Sequence, residues 1–421
     1  MAMSLGFHII FAALGVGMPL LMAIAEGLFL RTKNPVYLEL CRRWAKGTAI
    51  LFAVGAVSGT VLSFELGLLW PKFMADAGAI IGMPFSLEGF AFFTEAIFLG
   101  VFLYGWNRVP PLVHWFSGAM VAVSGMASAV FVVTANAWMN APAGFQFAGG
   151  QFWDIDPMAA MLNRASFHEV PHMVLAAIIA TSFMVAAVHA FFRLREPESA
   201  FHRAALGIAL AVAGVSLPLQ FISGDASARA AATLQPAKLA AMEAHFRTET
   251  QAPLLIGGVP DEQTMTTRDA LSIPAGLSFL VAHDTKAKVA GLEEFPRNQW
   301  PNVRIVHWSF DIMVGSAMAM LAVLAWIAVL RMKNRRPLDN RSALRALVAA
   351  GPLGFVALES GWVVTEVGRQ PWIIYGVMRT EEAVTPMHGL IVPFTVFSIV
   401  YIFLGIIVTF LLRQQFLEPH A

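Results

Sequence analysis

The chain has 421 residues, of which 57% are hydrophobic and only 13% are charged. That composition excludes a soluble domain of this length and predicts an all-α, polytopic membrane protein. The net charge is +1 and the basic residues are spread over short loops, which argues against a nucleic-acid partner. Cys41 is the single cysteine, so an intrachain disulfide, a CxxCH haem attachment and a thiolate metal cluster are excluded, and any haem would be bound non-covalently.

Nine apolar runs are long enough to cross about 30 Å of hydrocarbon and predict nine transmembrane helices. They divide the chain into six helices within residues 1–223, a loop over 224–304 and three helices within 305–421. The runs lie at 4–30, 45–70, 84–106, 112–135, 168–192, 204–223, 305–330, 344–366 and 384–412.

The distribution of lysine and arginine predicts the orientation of these helices. The connections on one side carry sixteen basic residues, whereas the short connections on the other side carry four. Because short cytoplasmic loops are enriched in basic residues, the first side is predicted to be cytoplasmic. The N-terminus and the long loop are then expected outside, and the C-terminus inside.

The long loop is expected to be functional. It holds nine acidic and eight basic residues, with a helical amphipathic pattern over 228–249 and a turn-rich segment over 254–263. Loops of this length in a compact protein are usually functional or disordered, and the helical pattern favours function.

Polar residues within the apolar runs gather towards the outer side of the predicted bundle. An ionisable group at membrane depth costs at least about 2.5 kcal/mol unless it is paired or ligated, so these residues are candidates for a functional site. The stretch FVALESGWVVTEVGRQPW places Glu359 and Glu366 two helical turns apart before Gly368 to Trp372 end the helix. The others are His8 in the first run, Glu88 and Glu95 in the third, His168 and His172 in the fifth and Met313 in the seventh.

These residue types suit haem iron. Histidine with methionine holds a low-spin haem, while a single histidine or carboxylate leaves one face of the iron open to oxygen. His172 and Met313 could therefore clamp one haem between the fifth and seventh helices. His8, Glu88 and Glu359 would remain for others.

Two alternatives compete with a haem protein. Residues 168–172 spell HEVPH, which matches the HExxH zinc-protease signature. Pro171 is tolerated in the first turn of a helix but suits a continuous metal-binding face poorly, and a third ligand has no obvious motif. A transporter or channel with paired intramembrane charges is the other alternative.

Five motifs together resemble subunit I of the cytochrome bd-type quinol oxidases, and the resemblance covers nearly the whole chain. They are FHIIF with EGLFL, LEGFAFFTEAIFLG followed by YGW, SAVFVVTANAWMNAP, KLAAMEA and ESGWVVTEVGRQPW. The resemblance implies the catalytic subunit of a quinol:oxygen oxidoreductase in the bacterial cytoplasmic (inner) membrane. Quinol would be oxidised at the periplasmic side, and O2 would be reduced to water with cytoplasmic protons.

The resemblance also implies roles for individual residues. His172 and Met313 would hold a low-spin haem b, and His8 and Glu359 would ligate two high-spin haems, with Glu88 beside or on one iron. The high-spin haems would be one haem b and either haem d or a further haem b. The remaining implied residues are Lys238 and Glu243 for quinol, Glu95 and Ser128 for the proton route, Arg369 for haem propionates and Trp362 as a further cofactor contact.

The resemblance also implies partners, and the sequence departs in places from the family pattern. The partners are subunit II of the oxidase, one or more small single-helix subunits, quinol, O2 and the lipid membrane. Asp311 stands where many members have arginine, which affects the expected potential of the low-spin haem. The outer loop is of the short type found in the cyanide-insensitive branch.

Overall fold

The fold was analysed in a computed structural model that describes residues 1–333 and 335–417. Within those residues, nine helical segments are long and apolar enough to cross a membrane, as predicted. Seven are single helices near the predicted runs: α1 (Ala2–Thr32), α2 (Pro35–Leu69), α3 (Pro71–Tyr104), α4 (Pro111–Asn140), α6 (Ser166–Arg195), α7 (Ala200–Leu234) and α10 (Val303–Met332).

The eighth span is broken and the ninth is shifted along the chain. The eighth consists of α11 (Arg341–Ala350) and α12 (Leu353–Gly368), with Gly351 and Pro352 between them. Both residues keep helical dihedral angles, but Pro352 has no backbone N–H to continue the hydrogen-bond ladder, so the helix is interrupted at this pair. The ninth span, α14, covers Ile391–Leu417 rather than 384–412.

Shorter elements lie in the connections. The helices are α5 (Pro157–Met161), α8 (Pro236–Met242), α9 (Gly276–Ala282) and α13 (Thr380–Ala383). Ten short strands form two-stranded antiparallel ladders in the described part of the chain. The pairs are β1 (Gln146–Ala148) with β2 (Gln151–Trp153), β3 (Glu249–Thr250) with β8 (Lys288–Val289), β4 (Leu254–Ile256) with β7 (Leu271–Ile273), β5 (Val259–Asp261) with β6 (Thr266–Arg268), and β9 (Trp372–Ile374) with β10 (Met378–Arg379).

The long loop begins later than the apolar pattern indicates. The sixth run was expected to end at residue 223, but α7 continues to Leu234. Polar residues there lower the hydropathy while the backbone hydrogen bonds of the helix continue, and Pro236 then starts α8 at its first position. The predicted helical stretch 228–249 is therefore the end of α7, then α8 and the start of the loop ladders. We call the end of the bundle that carries residues 235–302 the loop side.

Helix α6 occupies the centre of the bundle. It packs against α7, α1, α4, α11 and α12, whereas α14 contacts α2 and, more sparsely, α1. Glycines allow the closest approaches to α6. A Cβ at Gly17 would lie 2.3 Å from Thr181 Oγ1, and one at Gly354 would lie 2.5 Å from Ala180 Cα. Small residues of this kind let membrane helices pack with their backbones close together.

Candidate functional site

A cavity of about 700 Å³ lies between α6, α7, α10 and α12 and reaches the segment around α8. This volume falls within the range of about 300–1,000 Å³ that is usual for small-molecule and cofactor sites. Several residues singled out from the sequence line it: His168, His172, Lys238, Glu243, Met313 and Trp362.

His172 presents one ring nitrogen as an acceptor towards the cavity. The Gln220 side-chain amide donates to His172 Nε2 over 3.1 Å, while Nδ1 lies 3.3 Å from Ser223 Oγ. A neutral imidazole carries one proton, so an unprotonated Nε2 that accepts from Gln220 requires the proton on Nδ1, which donates to the serine. This is the tautomer in which Nε2 can bind a metal.

Met313 faces the same cavity from α10, packed closely against α12. A Cβ at Gly361 would lie 3.1 Å from Met313 Sδ, and one at Gly224 would lie 3.7 Å from His172 Cε1. A side chain at Gly361 would thus crowd the Met313 thioether, whereas a Cβ at Gly224 would make only an ordinary van der Waals contact with His172. The cavity, the imidazole acceptor and the thioether together fit a haem held by histidine and methionine.

His8 lies near the start of α1, and Glu359 of α12 lies close to the same end of α1. His8 Nδ1 lies 2.9 Å from Ser58 Oγ, and the Ser58 hydroxyl donates to the Gly55 carbonyl. The serine can then only accept from His8, which places the imidazole proton on Nδ1 and leaves Nε2 as an acceptor. Glu359 Oε1 is buried and has no hydrogen-bond partner in the described residues, and a Cβ at Gly6 would lie 3.4 Å from Glu359 Oε2. Both groups are suited to an iron centre.

Glu88 and Glu95 lie on α3, facing α4. The Ser128 hydroxyl, which was expected on a proton route, donates over 3.2 Å to Oε1 of Glu88, which was expected beside or on one iron. Glu95 is 6% exposed, and its carboxylate packs against Gly125, whose Cβ would lie 3.4 Å from it. The structure does not join Glu95 to Ser128 by a hydrogen bond.

Asn140, at the end of α4, is the hub of a polar network on the loop side. Its Oδ1 accepts from Arg369 over 3.3 Å and from Lys238 over 3.5 Å, and its Nδ2 donates to Glu169 over 3.0 Å. The Gln235 amide donates to the Asn140 carbonyl over 3.0 Å. Four elements are thereby tied together: α4, α6, α8 and the end of α12.

Arg369 is fully buried and only partly satisfied. It forms a short ion pair with Glu366, whose other oxygen accepts from Asn136 over 2.6 Å. Arg369 Nε has no hydrogen-bond partner among the residues described. An unsatisfied buried guanidinium N–H fits an anionic group such as a haem propionate.

The amides of this network had no role assigned from the sequence. Asn136 and Asn140 lie within the SAVFVVTANAWMNAP motif, and Gln235 precedes Pro236. The available signal was the pair of asparagines four residues apart in an apolar helix, where each must find a polar partner.

Lys238 and Glu243 are both buried beside the cavity. Lys238 lies in α8, and Glu243 is the first residue after the end of that helix. Burial lowers the pKa of Lys238 to about 8. Burial, and secondarily the charge of Asp311, raises the pKa of Glu243 to about 8. Glu243 Oε1 has no hydrogen-bond partner in residues 1–333 and 335–417, so it is available to a ligand.

Asp311 tethers the loop to α10. Its carboxylate accepts from the Gly257 N–H over 2.7 Å, between β4 and β5, and lies 3.5 Å from His307 Nε2. Asp311, the residue that departs from the family pattern, therefore holds the loop against α10. It lies two residues before Met313 in the sequence.

The HEVPH segment forms the start of α6, with Pro171 inside the helix. Glu169 bonds Asn140 on α4, while His168 Nδ1 lies 3.3 Å from Ser227 Oγ on α7. Among the described residues, no group of three or more His, Cys, Asp or Glu side chains could hold a metal ion. The carboxylate of the motif belongs instead to the Asn140 network.

Comparison with known proteins gives a consistent result over the whole chain. The family model described as cytochrome bd terminal oxidase subunit I matches residues 1–419. A Bacillus subtilis protein named as a cytochrome bd menaquinol oxidase subunit I is 38% identical, over 98% of this chain and 94% of its own length. A second B. subtilis protein, named cytochrome bd ubiquinol oxidase subunit 1, is 31% identical, over 97% and 90%. The solved bd oxidase structure from Geobacillus thermodenitrificans superposes with a TM-score of 0.93 at 38% identity, over 99% of this chain and 97% of that one.

Proposed function

Because the chain belongs to the cytochrome bd terminal oxidase subunit I family, we propose a specific division of labour among its buried polar residues. The protein is the haem-bearing catalytic subunit of a membrane quinol oxidase. When bound, haem would supply the redox chemistry by which electrons pass from quinol to dioxygen. The observation that carries the proposal is that His172, Met313, Lys238 and Glu243 line a single cavity.

We propose that this cavity holds the low-spin haem b. His172 Nε2 and Met313 Sδ would be its two ligands, Trp362 would form part of its wall, and Arg369 would neutralise a propionate. Support comes from the acceptor tautomer of His172, the glycine beside Met313 and the unsatisfied Arg369 Nε.

The two high-spin haems would be held at the start of α1. His8 and Glu359 would each ligate one iron, with Glu88 beside one of them. One haem would be haem b and the other haem d or a further haem b, which makes three haems in the chain. The bare His8 Nε2 and the unpartnered Glu359 Oε1 support these assignments.

Quinol would bind where the loop meets the cavity, so we assign residues 235–304 to the quinol-binding loop. The Lys238 ammonium can donate to a quinol oxygen, and ionised Glu243 can accept a proton from the other hydroxyl. On the far side of α4, Ser128 and Glu88, which are in contact, would deliver protons to the oxygen site together with Glu95. The buried carboxylates are suited to holding and passing on protons.

The protein would lie in the bacterial cytoplasmic (inner) membrane with its N-terminus and loop side periplasmic and its C-terminus cytoplasmic. The sixteen-to-four distribution of basic residues in the connections supports this orientation. Subunit II and one or more small single-helix subunits would be its protein partners. On the face of α3 opposite Glu95, Phe90 and Phe93 are about two-thirds exposed. This exposed aromatic face is consistent with a neighbouring subunit in the membrane.

Replacement of Glu243 tests the quinol site. Glu243→Gln removes the proton acceptor while keeping the side-chain size, so quinol-driven oxygen consumption should fall about 100-fold. Haem content and spectra should not change. Because the pKa of Glu243 is about 8, ionisation increases as the pH rises towards that value, and the wild-type rate should rise with it more steeply than the variant rate.

Glu249→Gln provides the control, since Glu249 is exposed in β3 of the same loop. It should oxidise quinol at the wild-type rate. Normal quinol turnover in Glu243→Gln would place quinol oxidation elsewhere in the protein.

A further inference from the structure

His168 lies at the quinol end of the cavity and has no role in the proposed function so far. It is one helical turn, about 6 Å along α6, closer to the loop side than His172. Glu169, the next residue, accepts from Asn140, which in turn accepts from Lys238 of α8. His168 therefore lines the part of the cavity nearest to α8.

Its hydrogen bonds fix the tautomer of the imidazole. The Ser227 hydroxyl donates its only proton to the Ser223 carbonyl over 2.9 Å, so Ser227 Oγ can only accept from His168 Nδ1, 3.3 Å away. The Nδ1 atom then carries the proton. His168 Nε2 is a bare acceptor, and it is buried with no hydrogen-bond partner in the part of the chain that the structure describes.

A bare imidazole nitrogen suits a hydroxyl group and does not suit a carboxylate. A haem propionate has only acceptor oxygens and would face the Nε2 lone pair, whereas a quinol O–H would donate to it. The propionate is better matched by Arg369, whose N–H groups can only donate.

We propose that His168 Nε2 accepts one of the two protons that quinol releases, an inference that rests on the proposed function of this cavity. Oxidation of one quinol to quinone breaks two O–H bonds and releases two protons and two electrons. The established reaction passes the electrons on to dioxygen, and each proton needs an acceptor. Glu243 takes one proton and His168 takes the other, which makes His168 a catalytic residue.

The surroundings of His168 favour passing the proton on. His168 and the Lys238 ammonium line the same cavity, and a second positive charge there disfavours lasting formation of an imidazolium. Asp225 on α7 lines the same cavity and is ion-paired at the surface with Arg229 over 2.7 Å and with the exposed His283 over 3.2 Å. Asp225 therefore offers an exit for the proton on the loop side.

The test compares two electron donors in purified His168→Gln oxidase. Quinol delivers electrons with protons, whereas tetramethyl-p-phenylenediamine delivers an electron without a proton. Quinol-driven turnover should fall about 100-fold with a smaller change in KM, and turnover with the amine should match wild type. The low-spin haem spectrum and the dissociation constant of a hydroxyquinoline quinone analogue should stay close to wild type.

Two further variants complete the test. His388→Gln, at an exposed histidine before α14, should behave as wild type. Ser227→Ala removes the acceptor for Nδ1–H, which allows the proton to move to Nε2, and should slow quinol turnover with the haem spectrum unchanged.

Three results would overturn the inference: normal quinol turnover in His168→Gln, an altered low-spin spectrum, or equal losses with both donors. If His168→Gln is normal while Glu243→Gln is impaired, only the role of His168 is wrong. If both variants are normal, the quinol site itself is wrong.

Discussion

Serine hydroxyls determine what the histidines of this protein can do. Ser58 and Ser227 each donate to a main-chain carbonyl, so each can only accept from the histidine beside it. The result at His8 and His168 is the same tautomer, with Nε2 left as an acceptor. The chemistry of each histidine then depends on what its Nε2 faces.

The two carboxylates of α12, Glu359 and Glu366, differ in whether they have hydrogen-bond partners. Glu366 bonds both Asn136 and Arg369, while Glu359 Oε1 has no partner in the described residues. A carboxylate buried without a partner is costly, and an iron centre would supply the missing positive charge. This contrast supports the proposed ligand role of Glu359.

Haem counts in Glu359 variants test that assignment. Glu359→Ala and Glu359→Gln should both lose or strongly perturb a high-spin haem, because neither offers an anionic ligand. Glu366→Gln is the matched comparison on the same helix and should keep all its haems. If Glu366→Gln loses the haem while Glu359→Gln keeps it, the ligand is Glu366.

At the scale of elements, the helices around α6 depend on glycine. The Thr181 hydroxyl donates to the Ala13 carbonyl over 3.0 Å, and Gly17 stands one turn further along α1 in contact with the same threonine. Since His172 and His168 belong to α6, the spacing between α1 and α6 also affects the geometry of the site.

Gly17→Ala should destabilise the protein by about 1–3 kcal/mol, because the added methyl overlaps Thr181 and forces the two helices apart. The half-life of the folded protein in detergent at a fixed temperature should shorten several-fold. Gly15→Ala is the control, as a Cβ there meets nothing within 4 Å. Equal half-lives for the two variants would show that the contact between α1 and α6 does not limit stability.

The predicted elements were correct where hydropathy alone defines them. Nine membrane-length helices were expected and are present in the described residues, because 20 or so apolar residues have few other stable arrangements. The predicted ends of the helices were less accurate. The extension of α7 to Leu234 and the break at Gly351 and Pro352 depend on backbone hydrogen bonding, which a hydropathy profile does not record.

At the scale of the whole molecule, the site residues converge although they are far apart in sequence. His172, Met313, Lys238 and Glu243 were singled out separately and line one cavity. The sequence could not show the Asn140 network, because its bonds join α4 to residues about 95 and 229 positions away. Family membership supports the oxidase prediction over the transporter and protease alternatives.

In the proposed arrangement, quinol oxidation would take place directly beside the low-spin haem site. Electron transfer between the two sites would then need no further carrier, and protons would be released on the side where the loop lies. The central claim is therefore that His172 and Met313 ligate a haem in this cavity.

Haem quantification with reduced-minus-oxidised spectra, in wild type and His172→Ala, tests that claim most directly. We expect three haems per chain in the wild type and the loss of one low-spin haem b signal in His172→Ala, because the substitution removes the Nε2 ligand. A full set of haems with an unchanged low-spin spectrum in His172→Ala would contradict it. So would one zinc per chain without iron in the wild type.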